Sequence, residues 1–113
     1  MTATIFHNPR CGTSRTVLAA LEAAGAAPKV VEYLKVGWTE AQLRDLTVRM
    51  GLSARQILRA KEPLAQELAL ESASEDAILK AMVAHSILVE RPIVVTAKGV
   101  ALCRPADKLQ ALL

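Results

Sequence analysis

Residues 6–15 read FHNPRCGTSR, and this short stretch decides what the rest of the chain can be. A β-like run, Ala3–Phe6, leads into His7-Asn8-Pro9. The residue before a proline is pushed toward extended backbone, so the strand is expected to stop there. From Thr13 onward Val17, Leu18, Leu21 and Ala24 recur at helical spacing, and Gly25 suits the position just past a helix end. Cys11 therefore falls where a strand hands over to a helix, between Arg10 and Arg15. A cysteine kept only for packing sits among apolar neighbours. Here unpaired backbone N–H groups, the positive end of a helix dipole and two arginines are all expected to favour the thiolate. Each lowers the thiol pKa from its usual value of about 8.5.

Working outward, KVVEYL (29–34) is rich in β-branched and aromatic residues and reads as a second strand. Strand, helix and strand in about 30 residues make a βαβ unit with parallel pairing. The next fifty or so residues read as helices. Thr39 can cap one with Leu43, Leu46 and Met50 inward and Gly51 at its end, and Ser53 can cap SARQILRAK. Pro63 suits a first helical turn, and Ser74 can start EDAILKAMVAH with Ile78, Leu79 and Met82 inward and His85 at its end. PIVVT (92–96) and VALC (100–103) read as a hairpin joined by Ala97-Lys98-Gly99, and a last helix follows Pro105. The order βαβ, helices, ββα is that of an α/β thioredoxin-like (glutaredoxin-like) mixed sheet. The expectation is one domain, 1–113, carrying a helical insertion at about 39–90.

Composition narrows the function. The only aromatics are Phe6, Tyr33 and Trp38, too few for base-stacking modules. Fourteen Lys and Arg against eleven Asp and Glu form no basic run, so the net charge of +3 points to a small anion site rather than a nucleic-acid groove. No apolar stretch approaches the roughly 20 residues of a membrane span. The opening residues show neither a basic leader nor a long apolar segment, and two cysteines so far apart make neither a disulfide framework nor a metal site. A cytoplasmic protein with no metal and no bound cofactor is expected.

Position 14 sharpens the chemistry. A thioredoxin-type redox pair is C-x-x-C, but CGTS puts Ser14 where the second sulfur belongs. Oxidised Cys11 must then be resolved by Cys103 or by a thiol from outside. The cysteine-phosphatase loop needs an arginine six residues after the cysteine, and Arg15 comes after four. A P-loop needs a glycine-rich run ending in Lys-Ser or Lys-Thr, and none occurs.

FHNPRCGTSR, GLSARQILR, ERPIVV and LCRP, in that order, resemble the signatures of the glutaredoxin-coupled arsenate reductase family across essentially the whole chain. The resemblance implies a nucleophilic Cys11 and an oxyanion pocket lined by Arg59, Arg91 and Arg104. It also implies arsenate as substrate, glutathione as co-substrate and glutaredoxin as partner. Guanidinium forks suit a tetrahedral dianion, matching two oxygens at once while offsetting its repulsion of a thiolate. His7, Asn8, Ser14, Arg15 and Pro92 are expected in support. His7 either tunes Cys11 as an imidazolium or closes the strand, and Asn8 can hold its own turn. Pro92 resembles the cis proline that thioredoxin-like folds set opposite the reactive cysteine. Arg55, four residues before Arg59, is expected on the same helical face in a structural role. The chain is expected to act as a monomer. Two other readings share the fold: a glutathione-dependent thiol oxidoreductase without arsenate activity, and a redox-linked regulator of RNA polymerase. The regulators typically carry C-x-x-C, which Ser14 does not supply.

Overall fold

Strand β1 (Ala3–His7) alternates Ala3 and Ile5 on one face with Phe6 on the other, all buried, and it occupies the middle of the sheet. A computed structural model describes residues 1–113 and divides them into two compact units, Met1–Val36 with Arg91–Leu113 and Gly37–Glu90.

In the first unit β1 pairs in parallel with β2 (Lys29–Glu32) and antiparallel with β3 (Ile93–Thr96), which pairs with β4 (Gly99–Leu102), so the strand order is β2-β1-β3-β4. Helix α1 (Gly12–Ala23) supplies the parallel crossover and buries Ser14, Val17 and Leu21 on one stripe. It ends at Gly25, whose φ of 84° lets Gly25 N–H reach Glu22 O and Ala26 N–H reach Leu21 O. That pair of bonds satisfies carbonyls that the helix end would otherwise leave open. Val17 and Leu21 pack with Ile5, Val94, Cys103, Leu109 and Leu112 into one apolar core.

Three expectations need correction here. The strand read over 29–34 ends at Glu32, and Tyr33–Val36 forms a short helix, α2. The reason is register: Glu32 pairs with His7, and β1 runs out just before Pro9, which has no N–H to offer. The hairpin connection has two residues, Ala97 and Lys98, because Gly99 already pairs with Thr96. The last segment, Ala106–Leu112, winds as a 3-10 helix rather than an α-helix. Its two buried leucines, Leu109 and Leu112, stand three apart, a spacing that a three-residue turn aligns on one side. Thr96 Oγ1 donates to Leu112 O at 2.9 Å and fastens this segment to the hairpin.

The second unit is helical. Helix α3 (Glu40–Met50) begins where Thr39 Oγ1 accepts from Gln42 N–H and closes at Gly51, with φ of 68°. Helix α4 (Pro63–Glu67) starts on its proline. Helix α5 (Glu75–Ala84) starts where Ser74 Oγ accepts from Ala77 N–H, and it buries Ile78, Leu79 and Met82. Arg44 on α3 donates to Asp76 of α5 at 2.7 Å. SARQILRAK does not make a regular helix: only Arg55–Ile57 is helical, as a 3-10 turn. Ser53 and Gln56 cap it reciprocally, each side chain accepting from the other's N–H. Leu58 is then extended and bridges Val89, so Arg55 and Arg59 do not share a helical face.

Leu21, fully buried on α1, should cost about 2–5 kcal/mol when replaced by Ala, the range for a cavity under a helix. Urea unfolding should show the loss as a lower midpoint at unchanged slope.

Candidate active site

The strand-to-helix loop of the first unit is locked from within. Cys11 is the N-cap of α1, its N–H donates to Asn8 O at 3.0 Å, and its carbonyl accepts from Arg15 N–H. Asn8 Oδ1 accepts from Arg10 N–H at 2.9 Å, the turn-holding bond expected of it. Beneath the loop lies Ser14, fully buried. Its hydroxyl accepts from Asn8 N–H at 3.1 Å and pairs with His7 Nδ1 at 2.7 Å. Burial, aided by the charge of Arg15 and opposed by Glu32, holds His7 below the ordinary histidine pKa. His7 is thus bonded to Ser14, and its lowered pKa disfavours the imidazolium.

Cys11 is buried, and burial alone would raise its pKa. The Ser14 backbone N–H, the charge of Arg91, and the hydrogen bond and charge of Arg104 outweigh that cost, so the thiol lies below its ordinary value. The nearest guanidinium is visible directly: Arg104 Nη1 donates to Cys11 Sγ at 3.4 Å and to Arg91 O at 3.1 Å. The expected source of positive charge is therefore only half right. The helix start contributes as anticipated, through Ser14 N–H. Arg10 and Arg15 make no hydrogen bond to the thiol, and the guanidinium groups that lower its pKa are those of Arg91 and Arg104. Both of the former are exposed, and Arg15 turns its Nη1 to Pro9 O at 2.9 Å.

Arg91 and Arg104 are half-buried, and each precedes a cis proline, Pro92 and Pro105. The first cis bond is the one expected from sequence; the second is not. Pro92 O accepts from Cys103 N–H at 2.9 Å, tying the two arginine-bearing segments together. Cys103 is fully buried, and burial raises its pKa to about 11 despite nearby Lys108. The two thiols are thus opposites, one inclined to ionise and one held protonated.

Arg59 belongs to the helical unit. Its backbone N–H donates to Leu88 O at 2.8 Å, and its guanidinium pairs with Glu62 at 3.8 Å. Arg55 donates to the carbonyls of Glu71 and Ala73 and serves the structural role expected of it. Reasoning from sequence missed Glu62 as the partner of Arg59 and Ser14 as the hub of the loop. Both left a signal: Glu62 stands three residues from Arg59, and Ser14 falls on the same helical stripe as Val17 and Leu21. No group of three or more His, Cys, Asp or Glu side chains converges as a metal site would, and no helix is long and apolar enough to cross a membrane.

Comparison with known proteins gives a consistent picture. The ArsC family model matches residues 6–112. An arsenate reductase of Synechocystis sp. is 51% identical over 96% of this chain and 79% of its own length. One from Neisseria meningitidis is 42% identical over 96% of both. Among solved structures, the arsenate reductase from Vibrio cholerae superposes with a TM-score of 0.95 at 40% identity, covering 100% of this chain and 98% of that one.

Alkylation should separate the two cysteines. Iodoacetamide at neutral pH should label Cys11 and spare Cys103, as read by peptide mass spectrometry. Arg104→Ala removes a positive charge from the thiolate, so the pH profile of Cys11 labelling should move upward.

Proposed function

The chain belongs to the ArsC family, and from that premise we propose that it is an arsenate reductase of the glutathione- and glutaredoxin-dependent type, with Cys11 as its nucleophile. The observation that carries this reading is the contact of Arg104 with Cys11 at 3.4 Å beside a thiol of lowered pKa. A reagent that must be an anion and must attack an anion needs fixed positive charge at that point.

The sequence of steps is as follows. The Cys11 thiolate attacks arsenic, forming a sulfur–arsenic bond, while an arsenic-bound oxygen departs, once protonated, as water. The transition state carries the charge of both reactants, so guanidinium groups act most strongly there. Arg104 and Arg91 take that role from the first unit, and the family resemblance adds Arg59 as a further arsenate-binding residue. Glutathione supplies the second thiol. Its sulfur bonds to Cys11 sulfur, and the electron pair of the sulfur–arsenic bond passes to arsenic, which leaves as arsenite. Two thiols and arsenate thereby give one disulfide, arsenite and water. Glutaredoxin then reduces the Cys11–glutathione disulfide and restores the thiol. Ser14, His7 and Asn8 hold the loop so that the Ser14 N–H stays on the sulfur, while Arg15 braces Pro9 and Pro92 positions Arg91. No bound cofactor takes part. The work is assigned to a single chain in the cytoplasm, where glutathione is reduced.

Cys11→Ser should abolish arsenite formation without unfolding the chain; activity within tenfold of the parent contradicts the assignment. Cys103→Ala should keep most activity, because the second thiol comes from outside. Its loss, together with a Cys11–Cys103 disulfide by mass spectrometry, would point to an internal relay. Arg91→Ala should lower kcat/KM for arsenate about ten- to a hundredfold, the loss of roughly 1.5–3 kcal/mol from a charge-assisted contact. Arg91→Lys should restore part of this, because an ammonium keeps the charge but not the fork.

A further inference from the structure

The two arginines that flank Cys11 in sequence are left over by the chemistry above. Arg10 is exposed, and only its backbone N–H is engaged, by Asn8 Oδ1. Arg15 is exposed and spends one of its five donors on Pro9 O. Its Nη2 lies 3.7 Å from where a side chain on Gly12 would begin, so the guanidinium sits over the residue next to the nucleophile. Arg104 Nη1, by contrast, donates to the sulfur of Cys11 at 3.4 Å, and Arg91 and Arg104 lower its pKa. Positive charge around this thiol therefore comes in two sets, one on the sulfur and one on the solvent side of the same loop.

An oxyanion bonded to Cys11 sulfur belongs with the set that acts on the sulfur. A ligand that also engages the outer set must be longer, must reach Cys11 from solvent, and must carry negative charge several bonds from its reacting atom. The tripeptide thiol glutathione meets these demands, with a central thiol and a carboxylate toward each end. We propose that Arg10 and Arg15 receive the carboxylates of glutathione and guide its thiol to the sulfur of Cys11. This rests on the thiol-donor assignment made above. Guanidinium forks match carboxylates bidentately, and an exposed pair of them also raises the rate of encounter with an anion. An acidic surface of glutaredoxin could use the same charges, but it meets the loop only after glutathione is already bonded to Cys11.

The test is steady-state arsenite formation with glutathione, arsenate and glutaredoxin varied in turn. The parent is compared with Arg10→Ala, Arg10→Glu and Arg15→Gln, the last keeping a donor for Pro9 O. Arg10→Glu should raise KM for glutathione about tenfold and Arg10→Ala by less, both with KM for arsenate unchanged, and Arg15→Gln should raise KM for glutathione as well. Glutathione diethyl ester, whose carboxylates are masked, should be used poorly and equally by the parent and the Arg10 variants. A glutathione KM that does not move in Arg10→Glu overturns the proposal. So does an ester as good as glutathione with the parent, or a shift confined to KM for glutaredoxin. A parent that forms no arsenite with glutathione overturns the donor assignment and the docking together. A parent that turns over normally while the variants keep its glutathione KM overturns the docking alone.

Discussion

The hydroxyl of Ser14 is the point on which the reactive loop depends. Fully buried, it closes a ring of hydrogen bonds with the His7 imidazole and the Asn8 backbone N–H. A buried polar group without partners is costly, so these bonds leave the loop little freedom to rearrange. The last residue of β1 and the first turn of α1 are clamped to one atom, and Cys11 is carried between them. Replacing the second sulfur of a redox pair with oxygen thus does more than remove a resolving thiol. It converts that position into a structural anchor and leaves Cys11 as the loop's only sulfur.

The anchor also divides the electrostatic labour. Burial opposes the thiolate, and a local N–H together with two distant guanidinium groups restores it. Arg104 is itself oriented by the Arg91 carbonyl, so its charge reaches the sulfur along a defined direction rather than from a loose surface side chain. Exposed ion pairs are worth little because water competes for both partners. A half-buried guanidinium donating straight to sulfur is a different case, since less water intervenes. The same reasoning explains why Cys103, the neighbour of Arg104 in sequence, stays protonated. It points into the apolar core with Val17 and Leu21, away from the charge.

What could be read from the sequence was whatever local chemistry decides. Gly25, Gly51, Thr39, Ser74 and Pro63 each mark an element boundary within one turn, and the structure uses each of them there. The parallel βαβ unit was legible for the same reason. Readings failed where a distant partner overrode local preference. The helix expected through Arg59 is cut short because Leu58 pairs with Val89, thirty-one residues on. Tyr33 leaves the strand because β1 has nothing left to pair with. Local reading assigns the charge on Cys11 to its neighbours Arg10 and Arg15, whereas the guanidinium groups that lower its pKa, Arg91 and Arg104, lie beyond the helical unit in sequence. No spacing rule links residues that far apart. Family resemblance singled out Arg91 and Arg104, and the physical reason became apparent only once β3 and β4 were folded against β1.

The order of the strands has a consequence for the making of the protein. Cys11 and Arg104 are 93 positions apart, and β1 cannot pair with β3 until the whole helical unit has emerged between them. Closing so long a loop costs entropy before any contact returns it, which favours late assembly of this sheet. A nascent or unfolded chain accordingly carries Cys11 as an ordinary thiol, mostly protonated and slow to react. The lowered pKa arrives with the segments that carry Arg91 and Arg104. The more readily ionised sulfur is confined to molecules in which β3 and β4 have already folded against β1.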